Sequence, residues 1–347
     1  MRVCVLTTSY PRFAGDVAGI FVADQVEHLR AAGIVVDVVS PASFPHFGIA
    51  YGGGIVQNLR ARPWLVLALP LFLAAYVRAA RRVARRADVV HAHWLPSGLA
   101  ALATGKPFVL QLWGTDAELA RMAPRLARPI VKRARIVIAA SSFLADEART
   151  LGASAVRVIP TGVDIPEAVG EPAEPPHVLF VGRLSEEKGI LEFLAATDGL
   201  PRVIVGDGPL RTRVSESVGF VPHDRLGGYY ERAAVVCVPS QREGYGVVAR
   251  EAMAYGRPVV APRVGGLADA VEDGVSGLLL APNPERDALH DAVAGLLSDA
   301  ERRVALGARA RELAAIRYGW SHAERGLVDT YEAVRTQAPM PGPRGVA

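Results

Sequence analysis

Short runs of Val, Ile and Leu alternate with helical segments twice along this chain, and no other feature constrains the fold as much. Residues 2–7 form the first run. From Ile20 to Ala32, Phe21, Val22, Val26 and Leu29 fall on one face, which is helical spacing, and Gly33 ends the segment. The run IVVDVVS (34–40) follows as a strand. Strand, loop (with Gly15 and Gly19), helix and strand in this order open a doubly wound α/β sheet. The pattern predicts further strands at 88–93, 106–113, 135–141 and 155–160. Helices are expected at PSGLAALAT, at about 117–133 and at SFLADEARTLG. Nearly continuous apolar strands argue for a parallel sheet covered on both faces.

The proline-rich stretch 165–176 has no periodicity and reads as a linker. The alternation then restarts, with strand candidates at 177–182, 202–208, 217–221, 233–239, 257–262 and 276–282. The 347 residues exceed the usual size of one hydrophobic core, so two domains are expected. They are a first Rossmann-like domain over 1–164, the linker, and a second over 177–319. A helix at about 320–336 is expected to return to the first domain, and 337–347 reads as a disordered tail.

Composition narrows the function classes. The formal net charge is only +4, and no recognition motif accompanies the basic run, so nucleic-acid binding fits poorly. Cys4 and Cys237 sit inside apolar strand runs without metal or disulfide spacing, consistent with a reducing, cytoplasmic compartment. The N-terminus enters a strand without the apolar core of a signal peptide. The stretch from Trp64 to Ala80 is short for a membrane span and contains Pro70 and Arg78. It runs into RAARRVARR (78–86), with five arginines. Residues 64–86 can form a helix lying on an anionic membrane at the inner face, or a helix that covers the first domain with its arginines in water; the sequence leaves both open.

The chemistry concentrates in SQREGYGVVAREAMAYGRPVVAPRVGGLADAVEDGVSGLLL, residues 240–280. A strand ends at Val238, a glycine-bearing loop follows, and a helix is expected from about Tyr245. Amides at a helix N-terminus, with the helix dipole behind them, form an anion site. Gly244 and Gly246 let backbone approach a ligand closely. Glu243 precedes the helix and Glu251 lies within it. Carboxylates accept strongly from sugar hydroxyls, and a carboxylate on a helix this apolar needs a partner. In FVGRLSEEKGI (180–190), Arg183 and Lys188 follow the end of a strand, where open α/β sheets bind ligands. A guanidinium fork and an ammonium both suit a diphosphate.

PSQREGYGVVAREAMAYGRPVVA, with VGG and DGVSGLLL downstream, resembles the retaining glycosyltransferases of family 4, also called glycosyl transferases group 1. That family's signature is two glutamates separated by seven residues. The resemblance implies two Rossmann-like domains facing a cleft, the GT-B architecture. It implies transfer of a hexosyl group, with retention, from a UDP- or GDP-sugar to a hydroxyl of a saccharide or lipid-linked acceptor. Glu243 would hold the donor sugar by its 3- and 4-hydroxyls, and Glu251 the nucleotide ribose. The amides of Gly244, Tyr245, Gly246, Val247 and Val248 would contact sugar and phosphate. Arg183 and Lys188 would neutralise the diphosphate.

RVIVGDGPL resembles the family loop that contains Gly206. SVGFVPHDRLGGYYERAAVVCVPS resembles the stretch that reads the base, with Phe220 and Val221 beside it. Gly19 would touch the diphosphate from the first domain. His93 in HAHW and Asp116 in WGTD are candidates near the reacting carbon, although Trp113 stands where many relatives have histidine, and a packed pair of His91 and His93 is the alternative. No Asp-x-Asp motif is present, so metal independence is expected, with no cofactor beyond the donor substrate. A dinucleotide oxidoreductase would show G-x-G-x-x-G after its first strand, and residues 7–19 lack it. A sugar-nucleotide epimerase or hydrolase of the same architecture is the remaining rival.

Overall fold

The computed structural model describes residues 1–13, 16, 18–51 and 55–336. Gly15 and the expected tail 337–347 lie outside the described residues. The chain divides into two compact units. The first holds residues 1–140, 144–159 and 324–347, and the second holds 141–143 and 160–323.

In the first unit, β1 (Arg2–Leu6), β2 (Val35–Val39), β3 (Val89–His93), β4 (Phe108–Leu112), β5 (Ile136–Ala139) and β6 (Val156–Val158) form one parallel sheet in the order β2-β1-β3-β4-β5-β6. Side chains alternate across a strand, so β1 feeds two cores. Cys4 and Leu6 join Phe72, Tyr76 and Ala80 of helix Leu69–Ala84 on one face. Val3 and Val5 join Val22, Val26 and Leu29 of helix Ile20–Ala31 on the other. That second core also takes Leu327, Tyr331 and Val334 from helix Trp320–Thr336. The helix expected at about 117–133 is two, Gly114–Met122 and Pro124–Arg133. Pro124 opens the second helix, where its missing N–H costs nothing.

The second unit repeats the plan with β7 (Val178–Val181), β8 (Arg202–Val205), β9 (Val235–Cys237), β10 (Val259–Pro262) and β11 (Gly277–Leu280), again all parallel, in the order β11-β10-β9-β7-β8. Read from β8, this is the order of the first five strands of the first unit. In both units the order reverses beside the first strand, so each sheet has a switch point, at β1/β3 and at β7/β9. Cys4 and Cys237 are free and buried, and burial pushes the Cys4 thiol up to about 12.

Two expectations change. Residues 217–221 are not a strand; only Gly219 bridges, to Gly206. The boundary moves from 164/165 to 159/160, and the stretch 165–176 is no free linker. Val163 bridges Gly319, the Gly170 N–H donates to Glu231, the Ala173 N–H to the Arg232 carbonyl, and Arg311 to the Pro166 carbonyl. Its prolines cannot donate to a ladder, but two of its amides and the Pro166, Glu167 and Gly170 carbonyls are taken up by the rest of the second unit.

Candidate functional site

The loops that leave β7, β8 and β9 close into a ring of contacts at the switch point of the second unit. After β7 the chain passes Gly182 and Arg183, makes a 3₁₀ turn over Glu186–Lys188, and enters helix Ile190–Ala196 through Gly189, at φ 71°. A Cβ on Gly189 would stand 2.0 Å from the Pro239 carbonyl, so only glycine lets the loop after β9 lie against this turn. The Gln241 N–H donates to the Glu187 carbonyl at 3.0 Å and fixes that approach. Across it, Lys188 Nζ lies 2.7 Å from Glu243 Oε2, and the Ser240 hydroxyl donates to the same oxygen at 3.3 Å. The two charged side chains are 31% and 15% exposed, so both still reach solvent.

Glu243 lies against the start of a helix. Its Cγ is 3.5 Å from where a Cβ on Gly246 would be, and Gly246, at φ 81°, is the N-cap of helix Val247–Ala254. The helix therefore starts two residues later than the sequence suggests. It ends in a Schellman motif, with the Gly256 and Arg257 amides donating back to Met253 and Ala252. Its first N–H groups have no partner within the helix, which is what an anion needs. The Tyr245 side chain is buried and donates to the Thr161 carbonyl at 2.5 Å, so only its backbone is available to a ligand. Arg250, 1% exposed, stacks on Tyr245 and Tyr318 and donates to the Tyr245, Gly246 and Gly266 carbonyls, holding the loop to the helix.

On the same helix, Glu251 Oε2 accepts from the Tyr230 hydroxyl at 2.6 Å, and Oε1 lies 2.7 Å from His223 Nε2. Burial, and then the Glu251 carboxylate itself, push the Tyr230 phenol well above its ordinary range, so it is a donor at neutral pH. His223 and Tyr230 belong to helix His223–Arg232, just after Phe220 and Val221. Phe220 is 59% exposed. The segment before it is tied to the loop after β8: the Gly206 N–H donates to the Gly219 carbonyl at 2.9 Å, and the Ser217 hydroxyl to the Gly206 carbonyl at 2.8 Å.

That loop in turn lies on the loop after β7. A Cβ on Gly206 would be 1.8 Å from the Gly182 carbonyl, and one on Gly208 would be 3.1 Å from Arg183 Cγ. The exposed Arg183 guanidinium has no hydrogen bond or ion pair among the described residues. So Lys188 and Glu243 meet directly, while Arg183, Gly206, Phe220, Val221, Gly246 and Glu251 are joined to them through one circuit. Among the described residues, no group of three or more His, Cys, Asp or Glu is placed to hold a metal.

Gly19, His93 and Asp116 belong to the first unit. Gly19 is the left-handed N-cap of helix Ile20–Ala31, and a Cβ there would stand 2.3 Å from the Ser9 carbonyl, so local packing alone requires glycine. Asp116 is 2% exposed. It accepts from the Trp113 N–H through one oxygen and from the Leu95 N–H through the other, both at 2.8 Å, and burial pushes its carboxyl up to about 7. It fastens the loops after β3 and β4. His93 is fully buried, stacked on His91 at 4.3 Å and facing Trp113 at 5.9 Å. Burial, and then His91, hold its pKa well down, so it is a neutral packed ring. The arrangement matches the packed pair, and neither group reaches solvent.

His223, Tyr230, Ser240 and Arg250 escape the sequence reading. His223 and Tyr230 stand seven residues apart, two helical turns, which places them on one face. That spacing, opposite a glutamate on an apolar helix, is the signal that could have found them.

Two Rossmann-like units, each a parallel sheet in this order with helices on both faces, define the GT-B class of fold, and the charged ring lies where such sheets bind ligands. Residues 164–313 match the family described as Glycosyl transferases group 1, and residues 18–167 match Glycosyltransferase Family 4. The chain is 32% identical to the D-inositol 3-phosphate glycosyltransferase of Acidothermus cellulolyticus, covering 91% of this chain and 86% of that protein. It is 30% identical to the enzyme of the same description from Nocardia farcinica, covering 96% and 89%. Among solved structures, sucrose-phosphate synthase from Thermosynechococcus elongatus superposes with a TM-score of 0.80 at 23% identity, covering 96% of this chain and 98% of that one. Anabaena Alr3699/HepE in complex with UDP-glucose superposes with a TM-score of 0.74 at 21% identity, covering 96% and 100%. The chain belongs to the group 1 glycosyltransferases.

Proposed function

We propose that this glycosyltransferase moves a hexosyl group, with retention of configuration, from a UDP- or GDP-sugar to a hydroxyl of a saccharide or lipid-linked acceptor. The observation that carries the reading is the Lys188–Glu243 pair at the mouth of helix Val247–Ala254, with Arg183 on the adjoining loop unpaired among the described residues. When a donor enters, Glu243 exchanges Lys188 for sugar hydroxyls, and Lys188 turns to the diphosphate with Arg183. The amides from Gly244 to Val248 contact sugar and phosphate, Glu251 accepts from the ribose, and Gly206, Phe220 and Val221 border the base. Charge developing on the leaving diphosphate is met by two cations and a helix terminus, which is the role a metal would otherwise fill, so the reaction is metal-independent in this reading. The acceptor attacks the face the diphosphate leaves, and positioning carries most of the rate. The relatives that transfer to D-inositol 3-phosphate and the UDP-glucose complex of a protein of the same fold support a soluble nucleotide-sugar donor and a polyol acceptor.

The protein works in the cytoplasm against the inner face of an anionic membrane. Trp64, Leu67 and Leu71 are exposed at one end of the run Pro63–Ala84, and Arg78, Arg81 and Arg82 at the other with Arg85 just past it, while Leu65, Phe72 and Tyr76 are buried in the first core. By length and composition alone that run could cross a bilayer, but its buried face argues for a helix lying at the surface. Co-sedimentation with anionic but not with neutral vesicles tests this.

The enzyme is tested by incubation with UDP- and GDP-hexoses, with and without polyol or saccharide acceptors. Nucleotide release that requires acceptor, persists in EDTA and gives a product of unchanged anomeric configuration supports the reading. Release or sugar conversion without acceptor sinks it in favour of an epimerase or hydrolase.

A further inference from the structure

We infer that Tyr230 is a positioning residue for nucleotide recognition, acting through Glu251. This rests on the reading of Glu251 as the ribose contact. A carboxylate has about four lone-pair sites, and a long glutamate side chain on a helix sweeps several rotamers unless something holds it. Here Tyr230 holds it: the phenol donates to Oε2 at 2.6 Å, while His223 meets Oε1. The donor is itself immobile. Tyr230 is 1% exposed, its ring stacks on Tyr255 at 5.6 Å, and its carbonyl accepts from buried Arg257 at 3.1 Å.

Each oxygen of Glu251 is therefore used once, and each keeps capacity for one more donor. Two oxygens with one free position apiece match the vicinal hydroxyls of a ribose, which present two donors side by side. Because the phenol remains protonated, it donates to the carboxylate and does not repel it. His223, half in water, contributes the second tether without the same rigidity. Tyr230 touches neither sugar nor phosphate in this scheme, so it governs nucleotide affinity and leaves transfer chemistry alone.

The test uses the full chain with Tyr230→Phe, Glu251→Ala and the double variant Tyr230→Phe/Glu251→Ala. Uridine diphosphate and guanosine diphosphate affinities are measured by calorimetry, and KM and kcat by acceptor-dependent nucleotide release. Loss of one charge-assisted bond predicts that Tyr230→Phe raises Kd and donor KM by roughly 5–10-fold, with kcat within about twofold. In the Glu251→Ala background the same substitution should add less than about twofold, because the acceptor of its hydrogen bond is already gone. Normal Kd in Tyr230→Phe, beside weakened binding in Glu251→Ala, overturns the proposal and leaves the ribose reading standing. Equal effects of Tyr230→Phe in both backgrounds, or a fall in kcat and Tm with Kd unmoved, also overturn it, as a merely structural role. Unchanged nucleotide binding in Glu251→Ala removes the ribose reading and the proposal with it.

Discussion

Each unit carries ionisable residues where its strands end, but they live in different surroundings. In the second unit Lys188, Glu243 and Glu251 are partly exposed and paired with one another or with polar neighbours, and Arg183 is unpaired among the described residues. In the first, Asp116 and His93 are buried, one bonded to two backbone amides and the other stacked between rings. The strand order is the same over five strands. Topology supplies a crevice at a switch point; the loops decide whether it holds exchangeable charge or packed structure. A partly exposed charge can trade its partner for a ligand, whereas a buried, fully bonded one cannot without breaking its own loop.

This contrast breaks most visibly at Glu243. Glu243→Ala should lower kcat for transfer by on the order of 100-fold or more, as expected for loss of a positioned contact at the reacting sugar. Nucleotide Kd, by calorimetry, should stay near normal; transfer at the wild-type rate would end the assignment. Next comes Arg183→Ala, which should raise Kd for nucleoside diphosphates roughly tenfold, since a guanidinium–phosphate bond is among the stronger kinds. Its thermal midpoint should not move.

In the first unit the effects should fall on stability instead. Asp116→Asn keeps the shape but supplies a single acceptor for two amides, at a cost of about 1 kcal/mol by denaturant titration. It should also flatten a pH slope. With the carboxyl at about 7 when folded against an ordinary 3.8, the folded chain keeps a proton that the unfolded chain has released. Stability from this group is full below the lower value and is lost as pH rises to the upper one. Thermal midpoints of wild type should therefore fall between about pH 4 and 7 relative to Asp116→Asn, and parallel curves would refute the burial argument. Smallest of all, Tyr331→Phe removes the partner 2.7 Å from His91 Nδ1 and should lower stability by up to about 1 kcal/mol without touching nucleotide binding.

Much of this was readable beforehand. Strands such as 177–182 and 257–262 are apolar because a parallel sheet is covered on both faces, so their register with helices appears directly in the residue pattern. The frame around Glu243 and Glu251 was legible because PSQREGYGVVAREAMAYGRPVVA resembles the signature of the group 1 glycosyltransferases, whereas the spacing of the two glutamates alone says little. Residues 217–221 misled: Val218, Phe220 and Val221 look like a strand, yet Gly219, at φ 86°, and the Ser217 hydrogen bonds turn them into a loop edge. The stretch 165–176 misled in the other direction, because its prolines signal irregular backbone and say nothing of the carbonyls that Arg257 and Arg311 collect.

Local order is encoded in neighbours a few positions apart, so the chain alone dictated its α/β alternation, its two units, its helix starts to within a turn and the loops that would carry charge. What it could not state was which side chains from distant loops would meet. That Lys188 finds Glu243, that Tyr230 and His223 hold Glu251, and that Asp116 and His93 are enclosed depend on strands separated by scores of residues lying side by side. Only the packed sheet sets those distances, and with them the burial that leaves one carboxylate exchangeable and makes another a structural tie.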